Sequence, residues 1–239
     1  IKNNQIKTVV HVGAHKGQEV PIYKKHGLKN IYLFEPQKPL FKILSEKYKQ
    51  DESITVYNFA LGNKSFDSEF FISNNEGASS SLLKAKEHLD LYPEINFESG
   101  QNVSVKPLSY FDIEKPELVV IDTQGYELKV LEGCGALLHK IDFLIIEINL
   151  KELYENSPLV KDIDNYLLKY KFIRSKTSIH SRKYFGDAVY VKRVSLNYFE
   201  YLFCYFKNHF MISNFYIKII NFVHLDYWKE KINNINNLF

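Results

Sequence analysis

Several short apolar runs of this chain end in a glycine turn or in an acidic side chain. Such runs are typical of buried strands, and ligands of open α/β sheets bind beyond the carboxyl ends of the strands. An acid placed there can accept hydrogen bonds from ligand hydroxyls or remove a proton as a general base. Glycines also form tight corners and acids also cap helices, yet their recurrence predicts a ligand site. The segments are Gly13–Gly17, Glu35, Ala60–Gly62, Asp122–Gln124 and Glu147.

The elements that must position these residues alternate along the N-terminal part of the chain. Short apolar or β-branched runs predict strands, and apolar residues at helical spacing predict helices. The predicted elements are a strand at Thr8–Val12, a helix at Gly17–Lys25, a strand at Asn30–Pro36, a helix from Leu40 to Tyr48 and a strand at Ile54–Gly62. This alternation predicts an α/β fold with a parallel, doubly wound sheet.

The same pattern resumes after an irregular stretch that contains a polar loop at Asn74–Ser81. The further predicted strands are Phe66–Ile72, Val103–Leu108, Glu117–Asp122, Ile141–Asn149 and Asp187–Arg193. The further predicted helices are Leu82–Leu89, Gly125–Cys134 and Val160–Tyr170. Glu117–Asp122 and Ile141–Asn149 each carry an acid near the carboxyl end, as does Asn30–Pro36.

Composition limits the class of protein. A chain of 239 residues with 45% hydrophobic and 25% charged residues is typical of a folded domain with a sizeable core. The net charge of +3 is small, and lysines and acids are interspersed, so no basic stripe indicates a nucleic-acid partner. Cys134 and Cys204 have no metal-ligand spacing. Two such cysteines favour a reducing, cytoplasmic location over a disulfide framework.

Residues 195–239 are rich in aromatic side chains and differ from the rest of the chain. The apolar residues from Ile212 to Val223 follow a helical stripe. Asn and Lys interrupt every apolar run before it reaches the roughly 18 residues of a membrane span. We expect a helical C-terminal extension that packs on the domain or on a partner subunit, as in a homodimer. The alternative is a peripheral contact with the inner face of a membrane.

The first glycine turn, "GAHKG", discriminates between two kinds of cofactor. In the dinucleotide fingerprint G-x-G-x-x-G, the second glycine lets the backbone approach a pyrophosphate. Gly13–Gly17 has bulkier residues at that place, which would obstruct a pyrophosphate. Glu35, at the end of the second strand, can still accept hydrogen bonds from both ribose hydroxyls. The combination favours S-adenosylmethionine, which has a ribose but no phosphate, over NAD, and a dehydrogenase is the weaker alternative.

The order of several sequence strings resembles that of FkbM-type methyltransferases. The strings are "HVGAHKGQE", "FEP", "FALGN", "GASSSLL", "VVIDTQGYELKVLEG" and "IIEIN". "IDTQGYELKVLEG" is the most specific, since it is similar to the family signature D-x-Q-G-x-E-x-x-V-L-x-G. The resemblance runs from Val9 to Arg193 and implies a Rossmann-like class I methyltransferase domain at residues 1–194, followed by the extension at 195–239. It also implies S-adenosylmethionine-dependent O-methylation, commonly of sugar hydroxyls.

The strand-end pattern and the resemblance together predict the residues of the site. The predicted cofactor-binding residues are Gly13, Ala14, His15, Gly17, Glu35, Pro36, Ala60, Leu61, Asp122 and Gln124. The predicted acceptor-binding residues are Ser79, Ser80, His88 and Glu127, and the predicted catalytic residues are Asp122 and Glu147. His15 is expected to donate to the methionine carboxylate. His11 stands where the family often has aspartate, so its contact with the methionine ammonium is in doubt.

Each assignment has a structural alternative. Asp122 and Glu127 could cap or stabilise the start of the following helix, and Ser80 could cap the helix predicted after it. His88 could pack under the loop that precedes it. Asp122 and Glu147 could share a divalent metal, but two carboxylates without a third ligand are a weak metal signal, and no metal ligand is assigned.

The sequence therefore predicts a cytoplasmic O-methyltransferase that acts on a sugar hydroxyl. Its richness in Lys, Asn, Ile, Tyr and Phe suggests an AT-rich genome, which is often bacterial. The expected acceptor is a carbohydrate of a surface polysaccharide, glycolipid or related glycoconjugate. The alternative from another class is a non-catalytic module that binds a cofactor or glycan and assembles through residues 195–239.

Overall fold

The computed structural model describes residues 6–113, 115–180 and 184–193. The strands in these ranges are β1 (Thr8–Val12), β2 (Asn30–Phe34), β3 (Ile54–Tyr57), β4 (Ala60–Leu61), β5 (Phe66–Ser73), β6 (Phe97–Lys106), β7 (Leu118–Ile121), β8 (Phe143–Asn149), β9 (Phe172–Ile179) and β10 (Phe185–Lys192). The α-helices in these ranges are α1 (Val20–Lys25), α2 (Lys38–Tyr48), α3 (His88–Leu91), α4 (Glu127–Cys134) and α5 (Val160–Leu168).

The main sheet has seven strands in the order β3-β2-β1-β7-β8-β10-β9. Strands β3, β2, β1, β7 and β8 are parallel, whereas β10 is antiparallel to both β8 and β9. The predicted doubly wound, mostly parallel sheet is confirmed. The chain reverses direction across the sheet between β1 and β7, so their carboxyl ends form the crevice in which such folds bind ligands.

Both faces of the main sheet are buried, which is why its parallel strands read as unbroken apolar runs. On one face, side chains such as Val10 and Ile121 pack with Val130 of α4 and Ile163 of α5. On the other face, residues such as Val9 and Leu118 pack with side chains of α1 and α2. Fully burying one such aliphatic side chain contributes about 1.5–3 kcal/mol, so the sheet is a rigid base for its carboxyl edge.

The strand predicted at Ile54–Gly62 is wrong as a single element. The chain forms β3 in the main sheet and then β4 in a second sheet of three strands, β4-β6-β5. The side chain of Asn58, between them, donates to the carbonyl oxygens of Glu35 and Pro36 at 2.9 and 3.0 Å. These bonds turn the chain away from β2, a long-range contact that apolar periodicity does not reveal.

The helix predicted at Leu82–Leu89 is also wrong for most of its length, because α3 begins only at His88. The amides of Lys86 and His88 donate to the carbonyl oxygen of Leu153, and Ala85 forms an antiparallel bridge with Tyr154. Pairing with this distant segment replaces the intrahelical bonds.

The sequence also left β9 unpredicted, since most of its side chains past Ile173 are at least partly exposed and give no apolar run.

The predicted C-terminal helical extension, residues 195–239, lies outside the described residues, as do its predicted roles in dimerisation and membrane contact. Within the described ranges, every helix is too short or too polar to cross a membrane.

Candidate active site

A cavity of about 840 Å³, including its open mouth, lies at the carboxyl edge of the main sheet. The predicted site residues that line it are Gly13, Ala14, His15, Glu35, Pro36, Ala60, Leu61, Ser80, Asp122 and Gln124. The turn after β1, the end of β2, the strand β4 and the turn after β7 therefore meet at one place, as the strand-end pattern predicts.

Gly13 sits where the turn after β1 crosses the end of β7. Its φ is +82°, and a Cβ atom added to it would lie 1.8 Å from the carbonyl oxygen of Asp122. Glycine is therefore the residue that lets these two segments come so close. The Asp122 amide donates to the Val12 carbonyl at 3.0 Å, which joins the two strand ends directly.

The backbone amides of this first turn are already paired within the protein. Those of Gly13 and Ala14 both donate to the Phe34 carbonyl at 3.0 Å, and that of Gly17 donates to the Ala14 carbonyl at 2.7 Å. The His15 amide donates to Glu35 Oε2 at 2.8 Å. Sites for pyrophosphate present free amides at such a turn, so this turn is not built for one.

Glu35 is buried at the cavity wall, 2% exposed. Its second oxygen, Oε1, accepts the Gln37 amide at 2.8 Å. Burial raises the pKa of Glu35 to about 7, against the lowering effect of the amides of Gln37 and His15. Both carboxyl oxygens thus accept hydrogen bonds from the protein, and the predicted contact of Glu35 with ribose hydroxyls stays a prediction.

The two histidines of the turn have different environments. The ring of His15 has Nε2 at 3.0 Å from the Glu76 carbonyl oxygen and Nδ1 at 3.0 Å from Gln18 Nε2. Both ring nitrogens are engaged, which argues against the predicted donation to a methionine carboxylate. His11 is buried with Nδ1 at 3.0 Å from the Tyr23 hydroxyl, and burial lowers its pKa. His11 is therefore a neutral, hydrogen-bonded histidine near the end of β1.

Asp122, Gln124 and Glu147 form a hydrogen-bonded cluster at the carboxyl ends of β7 and β8. Gln124 Nε2 donates to Asp122 Oδ1 at 2.7 Å and to Glu147 Oε2 at 3.0 Å. Asp122 is open to the cavity, whereas Glu147 is buried behind it and does not line it. One amide thus connects the two carboxyl groups predicted to be catalytic.

The pKa values of these two carboxyl groups are raised. Desolvation by the surrounding protein raises the pKa of Asp122 to about 6, and the nearby acids Asp187 and Glu19 act in the same direction. Burial, followed by the charge of Asp122, holds the pKa of Glu147 well above its ordinary value. Near neutral pH, Asp122 is therefore mainly ionised, while the equilibrium of Glu147 is shifted toward its protonated form. In the described ranges no group of His, Cys, Asp and Glu is arranged to hold a metal ion.

Glu127 was predicted to bind acceptor, but it lies outside the cavity lining. Its side chain is 1% exposed, and Oε1 accepts the Thr123 and Gly125 amides at 3.1 and 2.9 Å and the Thr123 hydroxyl at 3.1 Å. Burial raises its pKa to about 7. These bonds hold the turn between β7 and α4, which corresponds to the structural alternative.

Replacing Glu127 with alanine is expected to lower the free energy of unfolding by about 2–4 kcal/mol, because it leaves the buried amide of Gly125 and the partly buried amide of Thr123 without an acceptor. Urea unfolding at neutral pH measures this loss. Glu127→Gln retains an acceptor oxygen and resembles the protonated acid, so it is expected to lose at most half as much. Equal losses in the two variants would contradict the bonding role.

The serines of the loop at residues 74–81 bond mainly within the protein. Ser80 Oγ accepts the Ser73 amide at 3.0 Å, and Ser81 Oγ donates to the Gln124 carbonyl at 2.7 Å. Ser79 Oγ lies 3.2 Å from Nε2 of His88, whose ring packs against Tyr154. Of the predicted acceptor-binding residues only Ser80 lines the cavity. Ser79 and His88 are buried, so the packing alternative describes them.

The loop at residues 74–81 contacts the turn after β1 and the segment after β2, through side chains that the sequence did not single out. Gln37 Nε2 donates to the Gly77 carbonyl at 3.1 Å, and Lys16 forms an ion pair with Glu76. Gln37 and Glu19 also line the cavity. Both lie next to predicted site segments in the sequence, and this proximity is the feature from which they could have been predicted.

Gly17, a predicted cofactor-binding residue, faces Leu44 of α2 and does not line the cavity.

The sequence and the structure of this chain are similar to those of known proteins. The model of the family described as the methyltransferase FkbM domain matches residues 11–174. The curated 2-O-methyltransferase NoeI of Sinorhizobium fredii is 23% identical over 176 residues, which are 69% of this chain and 72% of that protein.

Among solved structures, methyltransferase FkbM from Methylobacillus flagellatus KT aligns with a TM-score of 0.53 and 16% identity, over 80% of this chain. The alignment spans 44% of the length of that longer chain. At this level of identity the likeness shows a shared fold.

Proposed function

The chain belongs to the FkbM methyltransferase family, and on this premise we propose that it transfers a methyl group from S-adenosylmethionine to a hydroxyl of a carbohydrate. The family match over residues 11–174 carries the proposal. The oxygen acceptor is supported by the similarity to a 2-O-methyltransferase. The carbohydrate, as part of a surface polysaccharide, glycolipid or related glycoconjugate, rests on the family resemblance of the sequence.

The cavity fits a cationic cofactor without phosphate. Its lining includes the acids Glu19, Glu35 and Asp122, while Lys and Arg are absent from the lining formed by the described residues. S-adenosylmethionine carries a sulfonium and an ammonium group, which a negative cavity attracts. The paired amides of the Gly13–Gly17 turn support the same choice over NAD. Glu35 and the turn would hold the ribose and methionine parts of the cofactor.

The bound cofactor supplies a methyl group that is already electrophilic, so the protein has two tasks. The first is to align the acceptor oxygen, and such positioning can contribute about 7–11 kcal/mol. The second is to accept the proton of the acceptor hydroxyl, which contributes about 10²–10⁴-fold in rate. Asp122 suits this second task because it is ionised and open to the cavity. Gln124 occupies Oδ1, and no described residue is hydrogen-bonded to Oδ2.

Calorimetry with S-adenosylmethionine and with NAD tests the cofactor. Binding of S-adenosylmethionine but not NAD is expected, and binding of NAD alone would contradict the proposal. Release of S-adenosylhomocysteine is then measured with a panel of neutral sugars and oligosaccharides. Mass spectrometry of cell-surface glycans with and without the gene looks for the loss of one methyl substituent. Cofactor binding without turnover on any acceptor would favour the non-catalytic alternative.

The rate of methyl transfer is expected to rise with pH through about 6 and then level off. The pKa of Asp122 is raised to about 6, and a carboxyl group accepts a proton only in its ionised form. Initial rates of S-adenosylhomocysteine release, measured across this range at saturating cofactor, report the midpoint. A midpoint near the ordinary pKa of aspartate, or a rate that falls as pH rises through 6, would contradict the assignment.

A further inference from the structure

Tyr154 lies outside every sequence string that carries the family resemblance, yet it is hydrogen-bonded to Gln124. It follows β8 and is 1% exposed. Its hydroxyl oxygen is 2.9 Å from Gln124 Oε1 and 2.9 Å from the Ser79 carbonyl oxygen. Both neighbours are acceptors, so the single hydroxyl hydrogen is shared between them, and burial raises the pKa of Tyr154 so that this hydrogen stays in place.

The bond from Tyr154 fixes which end of the Gln124 amide faces the acids. With the amide oxygen held by the hydroxyl, Nε2 points at Asp122 Oδ1 and Glu147 Oε2. A flipped amide would turn its carbonyl oxygen toward the ionised carboxylate of Asp122. It would also lose the hydrogen bond that Oε1 accepts from the Tyr154 hydroxyl. The backbone of Gln124 is held as well, because Ser81 Oγ donates to its carbonyl oxygen at 2.7 Å.

We propose that Tyr154 is a positioning residue for methyl transfer, which acts by holding the Gln124 amide so that its N–H group donates to Asp122. The inference rests on the proposed function, because it assigns Asp122 as the proton acceptor. Tyr154 contacts neither the cavity nor a reacting atom, so its effect passes through Gln124.

The surroundings of Asp122 make this one donor important. The ionisable groups that act on Asp122 or are acted on by it are His15, Glu19, Glu35, Glu127, Glu147, Tyr154 and Asp187. The charges of Asp187 and Glu19 raise the pKa of Asp122, and that of His15 lowers it. The Gln124 N–H favours the ionised form and so lowers the pKa of Asp122. A misplaced amide would remove that effect.

Tyr154→Phe removes the hydroxyl and keeps the ring that packs on His88 and Phe97. Tyr190→Phe is the matched control, since Tyr190 is equally buried and its hydroxyl bonds to Asp164, which does not line the cavity. Carbon NMR of the aspartate carboxyls, with Asp122→Asn for assignment, follows the titration of Asp122. Its midpoint is expected to rise by about one pH unit in Tyr154→Phe and to stay unchanged in Tyr190→Phe.

Gln124→Met provides a second route to the same readout, because it removes the donor and leaves Tyr154 intact. It is expected to raise the Asp122 midpoint, and the double variant Gln124→Met with Tyr154→Phe is expected to add nothing further. An unchanged midpoint in Tyr154→Phe, with the wild-type fold by circular dichroism, overturns the inference. If Tyr154→Phe does not fold, an unchanged midpoint in Gln124→Met overturns it instead.

The activity measurement separates this inference from the proposed function. In Tyr154→Phe, kcat at pH 6 is expected to fall about fivefold with little change in the KM for S-adenosylmethionine, because a rise of one unit in the midpoint lowers the ionised fraction of Asp122 by that factor. The acid limb of the pH profile is expected to move to higher pH. Failure to find any acceptor would overturn the proposed function, while the NMR titration still decides whether Tyr154 orients Gln124.

Discussion

Asp122→Asn is expected to lower kcat by about 10²–10⁴-fold, the contribution of a positioned general base, while the protein remains folded. Asparagine has nearly the same shape, and its side-chain oxygen can still accept the Gln124 N–H that Asp122 Oδ1 accepts at 2.7 Å. It cannot take up a proton at Oδ2. Steady-state rates of S-adenosylhomocysteine release and calorimetry of S-adenosylmethionine binding measure the two effects separately.

Two further variants sharpen this result. Glu147→Gln is expected to cost much less than Asp122→Asn, because the pKa of Glu147 is held well above its ordinary value and glutamine resembles the protonated acid. Asp51→Asn removes an acid that pairs with Lys24 away from the cavity and should leave kcat unchanged. Full activity of Asp122→Asn would remove Asp122 from the mechanism, and a larger loss in Glu147→Gln would move the base to Glu147.

Gly13→Ala is expected to lower the free energy of unfolding by more than about 3 kcal/mol and to abolish cofactor binding. A Cβ atom at this position would lie 1.8 Å from the carbonyl oxygen of Asp122, which is backbone and cannot rotate away. Forced overpacking costs about 1–3 kcal/mol, and the positive φ adds about 1–2 kcal/mol for a residue with a Cβ. Denaturant unfolding and calorimetry with S-adenosylmethionine provide the measurements.

Gly27→Ala is the matched control for the clash. Gly27 has a φ of +77°, close to the +82° of Gly13, but an added Cβ would meet no atom within 4 Å. We expect a loss of only about 1–2 kcal/mol from backbone strain and unchanged cofactor binding. Similar losses for the two alanine variants would show that positive φ alone requires glycine in the first turn, and that the crossing with β7 does not.

The Asp122 and Glu147 variants distinguish two carboxyl groups at the same edge of the sheet. The sequence treats Asp122 and Glu147 alike, as acids at the ends of neighbouring strands. The structure separates them, since Asp122 opens to the cavity and Glu147 lies behind Gln124. The two acids differ because Glu147 is buried more deeply than Asp122, and this burial also raises the pKa of Glu147.

The fold and the location of the site could be predicted because they depend on local patterns. Strands buried on both faces must be continuous apolar runs, and alternating helices bring such strands into a parallel sheet. The carboxyl ends of parallel strands share one edge, so Glu35 and Asp122 had to lie near the turn at Gly13. The size of the residues in that turn already argued against a bound pyrophosphate, and the paired amides of the turn support the same conclusion.

What the sequence could not show depends on contacts between distant segments. Glu127 accepts hydrogen bonds from backbone amides and does not face the cavity, and both ring nitrogens of His15 are hydrogen-bonded, to Glu76 and to Gln18. Tyr154 reaches Gln124 across 30 positions of the chain. Residue type and spacing predict which strand end a side chain follows. Its direction, its partners and its protonation state are set by the packing of segments far apart in sequence, and these exist only in the folded molecule.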